Sequence, residues 1–414
     1  MSNTLDASDR SAPAQPATMG VWDSVRWLLK PIASLRLTVA LFAACLVVVF
    51  CGTLAQRDHG IQIVVQQYFR STLVWIPFRH LIFVSVPGSF PFPGGWLLGT
   101  LLLFNLVAAH ITRFRFTGQR SGILLMHSGV LLLLLGELVT GLFSVEARMD
   151  ILEGSSSNFV YLPSNVELAI VGPETGGRNS AVVIPKRLLK PGERISHADL
   201  PFDLIVDKYY PNSRLVNPGI GNPQPQTHAQ WASATPVALP EVTGADPEQQ
   251  IDAPSALVTF LKKGSDDVLA KQTLSVWLER VTPPIVRHFS YAGKPYDISL
   301  RFKRVYKPYT IHLSDFHHEK YLGTSLPKDF KSDVRLVDPS RHEDRQLAIW
   351  MNHPLRHAGE TFYQADFRPD NQGTVLQVVR NPGWLMPYVA CTLVAVGMLI
   401  HFGLAIERFL RRIL

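Results

Sequence analysis

Cysteine is scarce in this chain, with three residues among 414. Cys45, Cys51 and Cys391 each lie inside an apolar run, none belongs to a CxxC pair, and the polar stretch between Val145 and Arg380 holds none. A disulfide framework and thiol redox chemistry are therefore excluded as organising principles, and the three read as small buried hydrophobes. Also missing is any GxSxG, HExxH, P-loop or Rossmann fingerprint in a strand-turn-helix context, so no conventional enzyme site is legible. The basic residues give a net charge of +7 and a pI near 9.3. They form no run interleaved with aromatics, which argues against a nucleic-acid partner.

What the chain does have is long apolar runs. Its hydrophobic fraction is 47% and its mean hydropathy +0.11, and the apolar residues concentrate near both ends with a mixed-polarity stretch between. Leu37–Leu54 carries no charge and is long enough to cross hydrocarbon as a helix. A cleaved signal peptide ending near Gly52, Thr53 and Ala55 is the competing reading, but the long preceding segment and the later spans favour an uncleaved anchor. Further spans read from Trp96 to His110, Ile123 to Phe143 and Trp384 to Ile406. Arg26, Lys30 and Arg36 precede the first; Arg113, Arg115 and Arg120 separate the second from the third; Arg408, Arg411 and Arg412 follow the fourth. The positive-inside rule puts all three groups, and both termini, in the cytoplasm.

The expected fold is thus a membrane protein: four transmembrane α-helices with a large extracytoplasmic mainly-β domain inserted between helices three and four. The boundaries are a tail over 1–33, three spans within 34–143 (about 35–55, 94–111 and 122–143), the β-rich domain over 144–382, the fourth span over 383–407 and a tail over 408–414. Met1–Gly20, rich in Ser, Ala, Pro and Thr, reads as disordered. Strands are expected over Val166–Val171, Ala256–Leu261, Tyr296–Val305, Leu347–Met351 and Thr374–Val379, where β-branched and aromatic residues are punctuated by Pro, Gly, Asn and Asp. Pro211–Pro254 reads as a long loop or insertion. Ile61–Val86, in the loop between the first two spans, is apolar and aromatic and is expected to lie in the membrane interface as an amphipathic helix, with a plain connection as the alternative.

Ionisable groups inside spans each need a reason. His110, His127 and His401 fall at similar depth in the inner half of the membrane by this topology. A neutral imidazole in an apolar bundle is a good axial ligand for haem iron, with Arg113, Arg115 and Arg120 placed for propionates. The alternative is that each ring hydrogen-bonds a neighbouring helix or reaches the interface. Glu137, in the third span, is read as protonated against another helix or in contact with a partner subunit, a structural role in either case. Of the outer histidines His312, His317, His318, His342, His353 and His357, the last two have i,i+4 spacing, but Pro354 intervenes and strand and turn surround them, which disfavours a metal site.

Three segments resemble one family. Ser34–Gln56 reads SLRLTVALFAACLVVVFCGTLAQ, Asp315–Asp338 reads DFHHEKYLGTSLPKDFKSDVRLVD, and Met351–Phe367 reads MNHPLRHAGETFYQADF. Their order and spacing are similar to those of ResB-like cytochrome c biogenesis proteins, and the likeness weakens over Pro211–Pro254. The resemblance implies a role in the two-component cytochrome c maturation system of bacteria and plastids. There a CcsA-type (ResC-type) membrane protein is the partner, haem is carried across the cytoplasmic membrane and helped onto apocytochrome c, and the β-domain is periplasmic. It implies a non-catalytic or co-catalytic subunit, with apocytochrome c and thiol-reducing proteins as further partners. It also makes His110, in the second span, the counterpart of a haem-iron ligand, while the partner's tryptophan-rich WWD signature is absent. A membrane-anchored sensor with an outer ligand-binding domain is the alternative from another class, but the cytoplasmic ends are too short for an effector module. A small-molecule transporter would need polar residues along several spans, and apart from Glu137 these spans are nearly all apolar.

Overall fold

The computed structural model describes residues 21–82, 87–113, 117–175, 178–217, 225, 227–242, 251–281, 283–320, 327–368 and 372–413. The segment 1–20 expected to be disordered, Arg115, and parts of the expected insertion lie outside them.

Among the described residues, four helices have the length and composition to cross a membrane. After a short helix α1 (Val21–Leu29), α2 (Leu35–Ala55) is apolar all round. The link to the next span is not one amphipathic helix. It holds a single turn α3 (Ile61–Val64) continuing into a π-turn at Val65–Phe69, strand β1 (Leu73–Pro77), a turn α4 (Arg79–Ile82) and strand β2 (Ser89–Pro93). Leu73 pairs with Pro93 and Pro77 with Ser89, closing a hairpin. The physical reason is local: Val74 and Ile76 alternate inward with period two, which suits a strand. Then α5 (Gly95–Arg113) and α6 (Ser121–Phe143) follow, and α9 (Met386–Ile413) comes last.

Two ties organise the helices into pairs. Asn105 of α5 is buried and donates from Nδ2 to Ile32 O at 2.5 Å and Ser34 O at 3.3 Å, while its Oδ1 accepts from Thr38 Oγ1 at 2.7 Å. It thereby clamps the start of α2, because a polar amide in hydrocarbon must find partners. The α6–α9 pair is joined by glycine. Gly122, Gly129 and Gly136 recur every seven residues on the buried face of α6. A Cβ at Gly129 would lie 2.7 Å from Ala390 O, and one at Gly397 would lie 2.8 Å from Gly122 O, so the antiparallel backbones touch.

Between them in sequence lie β3 (Val145–Leu152), β4 (Ser156–Thr175), β5 (Arg178–Pro185), β6 (Arg194–Ile195), β7 (Phe202–Tyr210), β8 (Ser213–Val216), α7 (His228–Ser233), β9 (Thr235–Ala238), β10 (Ser255–Lys262), β11 (Val268–Ser275), α8 (Val276–Arg280), β12 (Arg287–Tyr291), β13 (Lys294–Lys320), β14 (Pro327–Asp338), β15 (Glu343–Trp350), β16 (Leu355–His357), β17 (Glu360–Phe367) and β18 (Gly373–Arg380). Among the described residues the main sheet runs β15-β14-β13-β4-β3-β18-β17-β16. A second sheet, β11-β10-β7-β6, shares an apolar core with one half of it, around Phe202, Phe260 and Ile298; the other half encloses Met149, Ile311, Leu336 and Phe362. The expected strands all fall within observed ones, except that Met351 sits in a turn. The described part of Pro211–Pro254 is a correction to the expected loop: β8 pairs with β9, and α7 between them has a Thr227–Gln230 capping box.

The joint between sheet and helices is short. β3 and β18 are antiparallel neighbours with Val145 opposite Arg380, and α6 and α9 run directly into them. Thr140 Oγ1 donates to Asn381 Oδ1 at 3.2 Å, tying the two chain crossings together.

Candidate metal centre in the helix bundle

The three intramembrane histidines do not form one cluster. His110, on α5, and His127, on α6, face each other with ring centroids 5.7 Å apart and planes at 67°. His401, on α9, packs its ring on Phe402 at 5.5 Å, and its backbone nitrogen abuts Gly122.

Each of the paired rings is fixed by its own helix. His110 Nδ1 lies 2.8 Å from Leu106 O, and His127 Nδ1 lies 2.8 Å from Ile123 O. A carbonyl can only accept, so in both rings Nδ1 carries a proton. Such a backbone bond on the far nitrogen is what orients an imidazole ligand. Imidazole donors in an apolar bundle suit haem iron or a borderline transition metal, whereas hard cations prefer oxygen. The donor set therefore fits the group that the sequence suggests. Of the arginines placed for propionates, Arg113 ends α5 and Arg120 precedes α6.

Glu137, on α6, is exposed beside Leu138.

Outside the spans, a polar network holds the β1–β2 link under α2. His80 is buried, with Nε2 3.1 Å from Asp58 Oδ2 and Nδ1 3.4 Å from Tyr68 Oη, and Arg79 donates to the same Asp58 oxygen at 2.8 Å. The bond with His80 holds the Asp58 carboxyl below its ordinary range, and burial pushes Tyr68 up to about 12. Sequence reading missed this group, since its members gain meaning only when the hairpin folds back.

In the β-domain, His353 and His357 part company. His353 stacks on Trp350 at 4.2 Å. His357 is buried, with Nε2 2.8 Å from Asp338 Oδ2 and Nδ1 3.0 Å from Glu343 Oε2, and its ring meets Tyr309 edge-on at 4.9 Å. Tyr309 donates to Glu360, which also takes Lys307 at 2.5 Å. Gln364 joins three strands, accepting from Ser332 at 2.7 Å and donating to Thr374 at 2.8 Å. The segment 351–367 is thus a set of internal ties. Asp315, His317 and Asp333 cluster on β13 and β14 with ligand atoms within 4.8 Å, but they are partly exposed and Lys331 lies 2.9 Å from Asp333.

Comparison with known proteins adds to this geometry. Residues 292–374, from just before β13 to the first residues of β18, match the ResB-like family. Protein NrfI of Wolinella succinogenes is 33% identical over 92 residues, which is 22% of this chain and 10% of NrfI. The match therefore spans about a tenth of that relative's length.

Proposed function

We propose that this chain, whose residues 292–374 match the ResB-like family, serves cytochrome c biogenesis as the haem-handling partner of a CcsA-type membrane protein. In this reading it sits in a bacterial cytoplasmic membrane with both termini inside. Arg26 and Lys30 before α2 and Arg36 in its first turn, Arg113 at the end of α5 and Arg120 just before α6, and Arg408, Arg411 and Arg412 at the end of α9 support that orientation. The β-domain then faces the periplasm, where apocytochrome c is met. Haem is cargo, and His110 is the residue that engages its iron.

The observation that carries the reading is the ResB-like match across β13 to β18. The orientation of the His110 ring, fixed by its bond to Leu106 O in an apolar helix, supports this reading. The residues of the β-domain ties are positioned to hold the sheet, and the enzyme chemistry of haem attachment is assigned to the complex.

Deletion of the gene in its host, followed by haem staining of c-type cytochromes, tests the role. Loss of stained cytochromes, restored by the wild-type chain and not by His110→Ala at equal membrane abundance, is the expected result. Normal cytochromes in the deletion strain would overturn it.

A further inference from the structure

Helix α1 stands outside the four spans and is not a continuation of α2. Pro31 follows its end, and the turn into α2 is held by bonds from Lys30 N to Trp27 O at 3.3 Å, Ala33 N to Leu29 O at 2.9 Å and Ser34 N to Pro31 O at 3.3 Å. Ala33 is buried, and Asn105 of α5 donates to Ile32 O and Ser34 O in the same turn. α1 also leans on α5. The amide that ties α2 to α5 therefore fixes where α1 sits as well.

Trp22, Val25, Leu28 and Leu29 of α1 fall within an arc of about 120° at 3.6 residues per turn, the width of an apolar stripe that is normally buried. Yet Trp22 is 72% and Leu28 67% exposed, and Val25 is exposed with them. Among the described residues no element buries this stripe. Arg26 and Lys30 are exposed along its Trp22 edge, and Trp27 is exposed on the far side.

Chain connectivity decides what covers it. Only the turn Lys30–Ser34 separates α1 from α2, and exposed Ile32 and Leu35 carry the apolar surface from one helix to the other. α1 is thus held at the level where α2 enters lipid. Indole rings favour that level, being apolar in body and polar at the N–H. Basic side chains beside an apolar stripe are what an anionic leaflet attracts. A docked apolar helix would satisfy the stripe alone, whereas the leaflet satisfies both the stripe and the two charges.

We propose that α1 is an interfacial anchor that binds anionic phospholipid, with Trp22, Val25 and Leu28 among the upper acyl chains and Arg26 and Lys30 on the phosphates. The proposal requires that the four helices cross a membrane, and it is independent of the cargo and partner argued above.

The test uses the full chain in detergent micelles doped, at equal mole fraction, with brominated phosphatidylglycerol or brominated phosphatidylcholine, whose bromines quench nearby indoles. Quenching that belongs to Trp22 is the difference between the wild type and Trp22→Phe. Phosphatidylglycerol is expected to quench that part severalfold more strongly. Arg26→Gln and Lys30→Gln should each lower the preference by up to about fivefold, and Arg26→Lys should keep it. In the Trp22→Phe background the same charge changes should leave the residual quenching unaltered, which a folding defect would not. Equal quenching by the two lipids overturns the anionic site. Absence of Trp22 quenching by either lipid also overturns it and assigns the stripe to a protein partner or a second copy. None of these readings depends on cytochrome maturation, so their failure leaves the proposed function as it stood.

Discussion

The guanidinium of Arg356 lies 4.0 Å from the ring centre of Trp384, so β16 rests on the first residues of the α9 joint. Leu355 and His357 on either side of Arg356 point into the domain, as period two requires of a strand. Trp384 and Tyr388, 6.3 Å apart, are the aromatics that a membrane interface favours. The contact is exposed, and such cation–π pairs contribute about 0.5–1 kcal/mol. Arg356→Ala is expected to leave the β-domain folded but to speed proteolysis at the joint near Asn381, and Arg356→Lys to restore protection only in part. Limited proteolysis of the protein in detergent measures this, and equal cleavage rates would show that the contact holds nothing.

The glycines of α6 are not equivalent. A Cβ on Gly122 would fall 2.6 Å from His401 N and 2.7 Å from Gly397 O, both backbone atoms of α9 that cannot turn aside. On Gly136 it would meet Met386 Cβ at 3.1 Å, a milder approach that a small shift relieves. Gly122→Ala should lower thermal stability by about 1–3 kcal/mol or more, the cost of overpacking, whereas Gly136→Ala should cost less. Thermal melts of the two variants in the same detergent compare them directly.

The turn joining β16 and β17 is Ala358–Gly359, with φ at 50° and 77°. His357 pairs with Glu360 across it, so this is a two-residue hairpin that needs positive φ at both central positions. Glycine adopts that region freely, while alanine is disfavoured there by roughly 1–2 kcal/mol. Ala358→Gly or Ala358→Asn is therefore expected to stabilise the protein by about 1 kcal/mol, and Gly359→Ala to destabilise it by a similar amount. Chemical unfolding followed by tryptophan fluorescence would report both, and a stabilising Gly359→Ala would refute the turn assignment.

Much of this architecture is legible in the sequence, for physical reasons that differ by element. The four long helices follow from uninterrupted apolar length, and the strands from β-branched and aromatic runs between turn residues. The β1–β2 link differs from the expected helix because Ile61–Val86 is rich in apolar and aromatic residues without a clear period, and only the inward alternation at Val74 and Ile76 marks a strand. The ties are less accessible still. Asn105 could have been found as a lone amide in an otherwise apolar span, but its partners Ile32, Ser34 and Thr38 lie about seventy positions away. His110 and His127 were singled out as intramembrane ionisable groups. Their approach across α5 and α6, and the divergence of His401, depend on helix rotation that hydropathy does not encode.

Acid should loosen the β-domain through Asp338. Bonds from Ser340, and beyond them His357, hold its carboxyl below the ordinary range near pH 4. A carboxyl lowered in the folded state contributes stability that is present above the unfolded value and is lost as pH falls through the folded one. Stability should therefore drop steeply below about pH 4. Asp338→Asn should be less stable at pH 7 and flatter on the acid side, because it has no proton to take up. Unfolding midpoints measured from pH 7 to pH 3 test the sign, and an unchanged acid limb in Asp338→Asn would assign the acid loss to other carboxylates.

Glu137 faces out of the bundle, on the same side of α6 as exposed Leu138 and Val130. The Cα–Cβ bonds of a helix tilt toward its N-terminus, so this carboxyl is directed along α6 away from the β-domain and deeper into the span. That direction makes escape to the nearer surface poor, and an intramembrane carboxyl facing lipid is costly even when protonated. Arg70 Nε is 3.9 Å from where a Cβ on Gly141, one turn nearer the β-domain, would lie. If α6 is where a CcsA-type helix docks, Glu137→Leu should raise the melting temperature of the isolated chain by a few degrees and lower the amount of partner retained on co-purification severalfold. Glu137→Gln, which keeps a hydrogen-bonding side chain, should lie between. Destabilisation of the isolated chain by Glu137→Leu would instead identify Arg70 as its counterpart, and Arg70→Ala would then reproduce the loss.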